Sequence, residues 1–174
     1  MRAFPSSAQR VVPWKNGRGS TREVIVLPEG ASIADFTVRL SVATVADDGP
    51  FSAFPGIDRW IAVLDGAGMD LDVDGARVPL DPGVGAAFSG DAAVIGTLRD
   101  GPVRDLNLMV RRGAVAVDPQ LVTIEALVAT SPTVVLVLDG ALGPLGPGDA
   151  ALLDPGERLL GVARAFVTTL EARP

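Results

Sequence analysis

The side chains available for chemistry in this chain are carboxylates, hydroxyls, amides, fourteen arginines and one lysine. Its 174 residues include no His and no Cys. Without imidazole or thiol groups it cannot form a Ser-His-Asp triad, a thiol nucleophile, a disulfide or an imidazole or thiolate metal site. We therefore expect no metal ion and no cofactor.

The rarest residue types stand together near the amino terminus. Lys15 is the only lysine, and the adjacent Asn16 is one of two asparagines, the other being Asn107. In a chain rich in Ala, Gly, Val, Asp, Pro and Arg, this rarity marks them as candidates for chemistry. A cationic anchor is the simpler role for Lys15, and a Schiff-base nucleophile is the alternative if burial favours its neutral form.

The candidate binding residues combine cations, hydrogen-bond donors and aromatic rings. A guanidinium pairs bidentately with a carboxylate, and each charge-assisted hydrogen bond contributes roughly 1.5–3 kcal/mol, so we expect a small anionic metabolite as ligand. The polar candidates are Lys15, Asn16, Thr21, Arg39, Ser41, Arg59 and Asn107, and the candidates for an apolar wall are Trp14, Phe51 and Phe54.

Other roles for these residues stay open at this stage. Arg39 can face water on its strand, and Arg59 can pair locally with Asp58. Asp105 and Asn107 share one strand face and either line a cavity or support a turn.

A metal-independent isomerase, lyase or hydrolase is the competing interpretation. Such an enzyme uses Asp or Glu as a general base beside Lys15 or an Arg. A carboxylate inside the cavity with a raised pKa would distinguish it from a binding protein. The candidates are Glu23, Asp58, Asp91 and Asp105.

The acidic run from Asp70 to Gly75, with Asp81 further along, approaches the pattern of a calcium-binding loop. Its flanks are strand-like, and Asp81 stands where the pattern needs a bidentate Glu. We interpret the run as a half-buried strand with a wet acidic face.

Twenty glycines and 14 prolines separate short apolar runs, which predicts an all-β chain of strands and turns. A weak helical period is present only in residues 121–130. The predicted strands are Glu23–Leu27, Phe36–Val45, Trp60–Leu64, Met69–Val73, Gly85–Phe88, Ala93–Leu98, Val103–Val110, Val122–Ala126, Val134–Leu138, Ala150–Leu153 and Leu159–Leu170.

An internal repeat indicates the architecture. The run from Ile61 to Ala67 recurs 74 residues later from Val135 to Ala141, and a Pro-Gly turn follows each copy, at residues 82–83 and 147–148. This order is typical of an antiparallel sandwich or barrel with two similar sets of strands in one compact unit. Chance similarity between two apolar strands is the alternative.

The overall composition limits the partners. A net charge of −6 and an isoelectric point of about 4.6 argue against nucleic acid. No apolar run is long enough to span a bilayer, and residues 1–13 do not resemble a signal peptide. We expect one cytoplasmic domain over residues 1–174, with no membrane partner and a homodimer as a plausible assembly.

Several motifs, in their order along residues 13–113, resemble the HutD/Ves family. They are Pro13-Trp14-Lys15-Asn16-Gly17 with Thr21 and Glu23, Val38-Arg39-Leu40-Ser41, Asp48-Gly49-Pro50-Phe51-Ser52, Phe54-Pro55-Gly56-Ile57-Asp58-Arg59, Phe88-Ser89-Gly90-Asp91 and Asp105-Leu106-Asn107-Leu108-Met109-Val110-Arg111-Arg112-Gly113. Two positions depart from the family pattern, Arg18 in a loop that usually has consecutive glycines and Val38 where Trp is usual.

The resemblance implies a cupin fold, a jelly-roll β-sandwich or barrel in a two-cupin (bicupin) arrangement. A first cupin half at about residues 13–113 and a degenerate second half at about 114–174 are then expected. The resemblance also implies a non-enzymatic, regulatory role in histidine utilisation, through capture of a pathway metabolite such as a formylglutamate-like intermediate.

Overall fold

The structure, a computed structural model, describes residues 1–14 and 19–173, and these residues form almost only β-strands. The strands are Arg2–Phe4 (β1), Arg10–Pro13 (β2), Gly19–Leu27 (β3), Val38–Val45 (β4), Gly49–Phe51 (β5), Ile57–Asp65 (β6), Met69–Val73 (β7), Ala76–Leu80 (β8), Gly85–Ser89 (β9), Val94–Leu98 (β10), Val103–Arg111 (β11), Val115–Val117 (β12), Gln120–Val128 (β13), Thr133–Gly140 (β14), Ala150–Leu153 (β15) and Arg158–Ala172 (β16). The described part of the chain has one helical element, a 3-10 turn at Ser6–Ala8. The all-β prediction is confirmed, and residues 121–128, with their trace of helical period, belong to β13.

The chain divides into two compact units. The large unit is Arg10–Arg112, and the small unit is Met1–Gln9 with Gly113–Pro174. The large unit contains a six-stranded sheet in the order β2-β3-β4-β11-β6-β9 and a four-stranded sheet in the order β5-β10-β7-β8. The small unit contains the order β1-β15-β14-β16-β12, with β13 also paired to β16. The sheets are open, and none closes into a barrel.

All eleven strands predicted from the sequence are present, and the five that the sequence did not predict are edge strands. These five are β1, β2, β5, β8 and β12. An edge strand hydrogen-bonds on one side only, so it can be short, exposed or interrupted by proline, as at Pro50 and Pro79. Apolar periodicity therefore finds the inner strands and misses the edges.

The two sheets of the large unit pack face to face. Ile61 and Val63 of β6 share one hydrophobic cluster with Met69 and Leu71 of β7, and all four side chains have no exposed surface. Full burial of such a side chain contributes roughly 1.5–3 kcal/mol. The face of the six-stranded sheet that carries Ile61 and Val63 is therefore the inner face of a sandwich.

The sequence repeat corresponds to a repeat of strand register. Opposite β6, Arg104 pairs with Asp65 and Asp105 with Val63, so Leu64 is bulged out of the ladder. Opposite β14, Arg164 pairs with Asp139 and Ala165 with Val137, so Leu138 is bulged in the same way.

The Pro-Gly turns repeat as well. The amide of Gly83 donates to the carbonyl of Val63 at 2.8 Å, and the amide of Gly148 donates to the carbonyl of Val137 at 2.8 Å. Positions 74 residues apart thus occupy equivalent places in the two units.

The acidic run of β7 serves the sheet rather than a metal ion. Asp70 binds Arg77 and Arg99, Asp72 accepts from the amide of Gly75, and Asp74 accepts from the amide of Ala93. Within residues 1–14 and 19–173, no three Asp or Glu residues are grouped as metal ligands. This agrees with the interpretation as a strand with an acidic face.

No helix in the described residues is long and apolar enough to cross a lipid bilayer.

The repeated Asp-Gly turns make a prediction about stability. Gly66 and Gly140 have φ of 101° and 79°, and a Cβ would lie 2.7 Å from the carbonyl oxygen of Pro102 and 2.3 Å from that of Val162. Alanine at either position costs about 1–2 kcal/mol for the backbone conformation and about 1–3 kcal/mol for overpacking. Gly75→Ala is the matched control, because its φ is 86° but a Cβ would meet no atom within 4 Å. Urea unfolding should show a larger loss for Gly66→Ala and Gly140→Ala than for Gly75→Ala, and equal losses would contradict the packing argument.

Candidate functional site

Most of the predicted site residues lie on the inner face of the six-stranded sheet in the large unit. Directly paired residues on neighbouring strands point to the same face, and successive rows of such pairs are about 7 Å apart. Three adjacent rows hold the polar side chains. They are Thr21-Ala43-Asp105-Val63, Glu23-Ser41-Asn107-Ile61 and Val26-Arg39-Met109-Arg59.

Arg59 is the most deeply buried cation of this face. Its side chain is only 4% exposed, and its guanidinium carbon lies 5.7, 5.5 and 5.1 Å from the ring centres of Phe51, Phe54 and Phe88. Its Nη1 donates to the carbonyl of Ser52 at 3.2 Å. Burial lowers the pKa of Arg59 to about 10, so the group stays charged at neutral pH.

Asp105 is a buried carboxylate on the same face. It is 1% exposed, and in the part of the chain that the structure describes neither of its oxygens has a hydrogen-bond partner of ordinary geometry. Burial raises the pKa of Asp105 to about 7, although the charge of Arg59 and the amide of Ala43 act in the opposite direction. Asp105 is thus close to half-protonated at neutral pH.

Unpartnered polar atoms are concentrated on this face. Among the described residues, Arg59 Nε, both oxygens of Asp105 and Asn107 Oδ1 are buried without a hydrogen-bond partner. Each such group costs roughly 1–3 kcal/mol relative to a satisfied one. Four of them on neighbouring rows indicate a place where a bound molecule or water completes the hydrogen bonds.

Arg39 is already partly neutralised. Its Nε donates to Oε2 of Glu23 at 3.1 Å, and its Nη1 approaches Oγ of Ser41 at 3.4 Å. The side chain is 15% exposed, so the alternative in which Arg39 simply faces water is wrong. Arg39 keeps a role at the site, but with less unmatched charge than Arg59.

The aromatic residues border the polar rows. Trp14 donates from Nε1 to Oγ1 of Thr21 at 2.8 Å and packs against the sandwich core. Phe51 and Phe54 surround Arg59, together with Phe88, which the sequence reasoning left out of the site. The predicted Lys15 and Asn16 lie outside the described residues.

The four candidate general bases have different environments. Asp58 and Asp91 are half-exposed and pair with Arg112 at 3.0 and 2.7 Å, so the local pairing of Asp58 with Arg59 is wrong. The hydrogen bond from Arg112 is the main cause that lowers the pKa of Asp91. Glu23 is engaged by Arg39. Asp105 alone among the four is buried with a raised pKa.

The internal repeat supplies a comparison within the chain. The positions equivalent to Arg59, Asp105 and Asn107 in the small unit are Thr133, Ala165 and Val167. The same pair of strands forms there without a charge at any of these positions. The polar residues of the large unit are therefore not a requirement of the strand pairing.

Asp105 is the main residue that sequence reasoning failed to commit to the site. Its only sequence signal is the comparison of β11 with β16, in which Arg104 and Arg164 match while Asp105 is replaced by Ala165. A single matching residue is too little to reveal this alignment without the strand register.

Comparison with known proteins identifies related sequences. The HutD family model matches residues 6–166. The "Uncharacterized 21.2 kDa protein in hutC 3'region" of Pseudomonas putida is 46% identical over 99 residues, covering 56% of this chain and 52% of the relative. "Protein Ves" of Citrobacter koseri is 40% identical over 101 residues, covering 57% and 52%. The chain thus spans about half the length of the curated relatives it matches.

Solved structures agree with these matches. HutD from Pseudomonas fluorescens SBW25 is 33% identical, with a TM-score of 0.84 over 99% of this chain and 98% of that one. A cupin 2 conserved barrel domain protein from Leptotrichia buccalis shares 11% identity, with a TM-score of 0.56 over 92% of each chain. The second likeness concerns the fold alone, and together they confirm the cupin fold.

The raised pKa of Asp105 predicts how stability depends on pH. An unfolded Asp titrates near about 3.9, so between about pH 4 and pH 7 the folded protein holds a proton that the unfolded chain has lost. The contribution of Asp105 to the free energy of unfolding therefore falls as the pH rises through this window and is level above it. Asp105→Asn removes the titration, so its stability relative to the parent should rise by at most about 1.4 kcal/mol per pH unit.

Urea unfolding of both proteins at about pH 5 and about pH 8 measures this difference. Asp100→Asn, at an exposed position, controls for the change in net charge. A stability difference between Asp105→Asn and the parent that does not change with pH would show that Asp105 is ionised throughout.

Proposed function

Because the chain belongs to the HutD family, we propose that it captures a small anionic metabolite between the sheets of its large unit, without a metal ion and without turnover. The polar rows of the inner face form the proposed binding site. Arg59 supplies its central charge, Arg39, Ser41, Thr21 and Asn107 supply further polar groups, and Trp14, Phe51 and Phe54 border it.

The observation that carries this proposal is the state of Arg59. The guanidinium is buried among three aromatic rings, and none of its ion pairs with the described residues meets the usual distance of a salt bridge. A cation removed from water is costly unless a negative charge compensates it. A carboxylate of a ligand supplies that charge and can accept from the unpartnered Nε.

The metabolic setting of the proposal comes from a relative. A related protein of Pseudomonas putida is named for its position in the hutC 3' region. On this basis we infer that the metabolite is an intermediate of histidine degradation, with a formylated glutamate as the leading candidate, and that its capture has a regulatory role. Lys15 and Asn16 remain predicted contacts.

A second candidate function rests on Asp105. A carboxyl group with a pKa of about 7 in a dry interior can act as a general base at neutral pH. The alternative is therefore a metal-independent isomerase, lyase or hydrolase with Asp105 as base and Arg59 as the electrostatic partner. Incubation of the protein with N-formyl-L-glutamate in D2O, followed by NMR, separates the two functions. A new product or exchange of a carbon-bound proton supports the enzyme, and unchanged spectra support the binding protein.

Removal of the buried cation should abolish most of the binding. Arg59→Gln deletes a charge-assisted contact worth roughly 1.5–3 kcal/mol, so its affinity for N-formyl-L-glutamate should fall about 10-fold to 100-fold in calorimetric titrations. Arg77→Gln, at a side chain that is 74% exposed, is the control and should bind as the parent does. EDTA should leave the affinity unchanged.

Arg39→Ala and Lys15→Ala test the remaining cations in the same assay. If Arg59→Gln and both of these variants bind as tightly as the parent, the assigned site is wrong.

A further inference from the structure

Asp105 and Asn107 offer hydrogen-bond acceptors that the described residues do not use. They stand two positions apart on β11, on the inner face of the large unit, next to Ala43 and Ser41 of β4. Both oxygens of Asp105 and Oδ1 of Asn107 are buried without a hydrogen-bond partner among residues 1–14 and 19–173. Three acceptor oxygens are therefore grouped where water is largely excluded.

The fold does not require these acceptors. At the equivalent register positions of the small unit, β16 carries Ala165 and Val167 opposite β14, and the strands pair in the same way. Buried acceptors that cost stability and that the repeat replaces with apolar residues are explained if another molecule donates to them.

Arg59 sets the other end of the same site. It lies two rows from Asp105, about 14 Å between Cα positions, and both side chains belong to the inner face. The two side chains bridge part of this distance. A five-carbon diacid has a suitable length for one carboxylate to meet Arg59 while a polar group on its chain approaches Asp105.

We propose that Asp105 and Asn107 determine ligand specificity by accepting hydrogen bonds from an N–H or O–H group of the ligand. The site then prefers acids with a hydroxyl, amino or amide group near the carboxylate over plain dicarboxylates of the same length. This inference rests on the proposed binding function, and it assigns to Asp105 a part that the anion-binding argument does not need.

The charges around Asp105 make its contact with a donor measurable. The described charged groups of the same face are Arg59 on β6, Arg39 on β4 and Glu23 on β3. Burial holds the pKa of Asp105 at about 7. A donor from the ligand favours the ionised carboxylate, so binding at neutral pH releases a proton.

The test compares glutarate with (S)-2-hydroxyglutarate and L-glutamate, three acids of equal chain length of which only the last two carry a donor. Calorimetric titrations at neutral pH, in phosphate and in Tris, give the affinity and the number of protons released. The parent should bind (S)-2-hydroxyglutarate about tenfold more tightly than glutarate and should release protons only with the donor-bearing acids.

Two variants copy the small unit. Asp105→Ala and Asn107→Val introduce the residues found at positions 165 and 167, and both should fold. Asp105→Ala should bind glutarate at least as well as the parent, lose the tenfold preference and release no proton. Asn107→Val should lose part of the preference and keep the proton release.

The outcomes separate this inference from the proposed function. Equal affinity of the parent for glutarate and (S)-2-hydroxyglutarate overturns the specificity proposal, whether or not the variants fold. So does an Asp105→Ala protein that keeps both the preference and the proton release. If the parent binds none of the three acids up to about 10 mM, this inference fails, and the N-formyl-L-glutamate titration decides the proposed function separately.

Discussion

The large unit depends on one unusual electrostatic arrangement, a guanidinium kept dry between two packed sheets. The rings of Phe51, Phe54 and Phe88 exclude water from Arg59 and stabilise its charge through their faces, but they offer no negative charge. Asp105 is the nearest match for that charge, and burial favours its protonated form. The pair is thus only partly compensated, and this shortfall gives the inner face its affinity for a third, charged participant.

The strands that the sequence predicted are those whose environment produces an apolar run. β6, β11 and β14 are paired on both sides and mostly buried, so their residues are selected for apolar character along the whole strand. Edge strands such as β8, with Pro79, lack that constraint. The repeat at Ile61 and Val135 was visible because both copies keep their aliphatic residues.

The site was predictable in its residue types but not in its electrostatic state. Arg59 and Asn107 stood out by type and by resemblance, whereas the burial of Asp105 depends on which strands flank β11, and its own neighbours in sequence do not show this. The two units use one register and fill it differently, with Arg59 and Asp105 in one and Thr133 and Ala165 in the other. The division into cupin halves at about residues 13–113 and 114–174 stays a prediction.

The recurring bulge at Leu64 and Leu138 limits how such a protein can evolve. Because side chains alternate between the faces of a strand, deletion of one residue between Arg59 and Leu64 would turn Arg59 outward and bring Trp60 into its place. The copies have kept equal length from 59 to 65 and from 133 to 139, while the spacing of their partner strands has shortened from 74 to 60 residues. Drift between the copies has thus proceeded by substitution within these strands, and changes of length have been confined to the hairpins that join them.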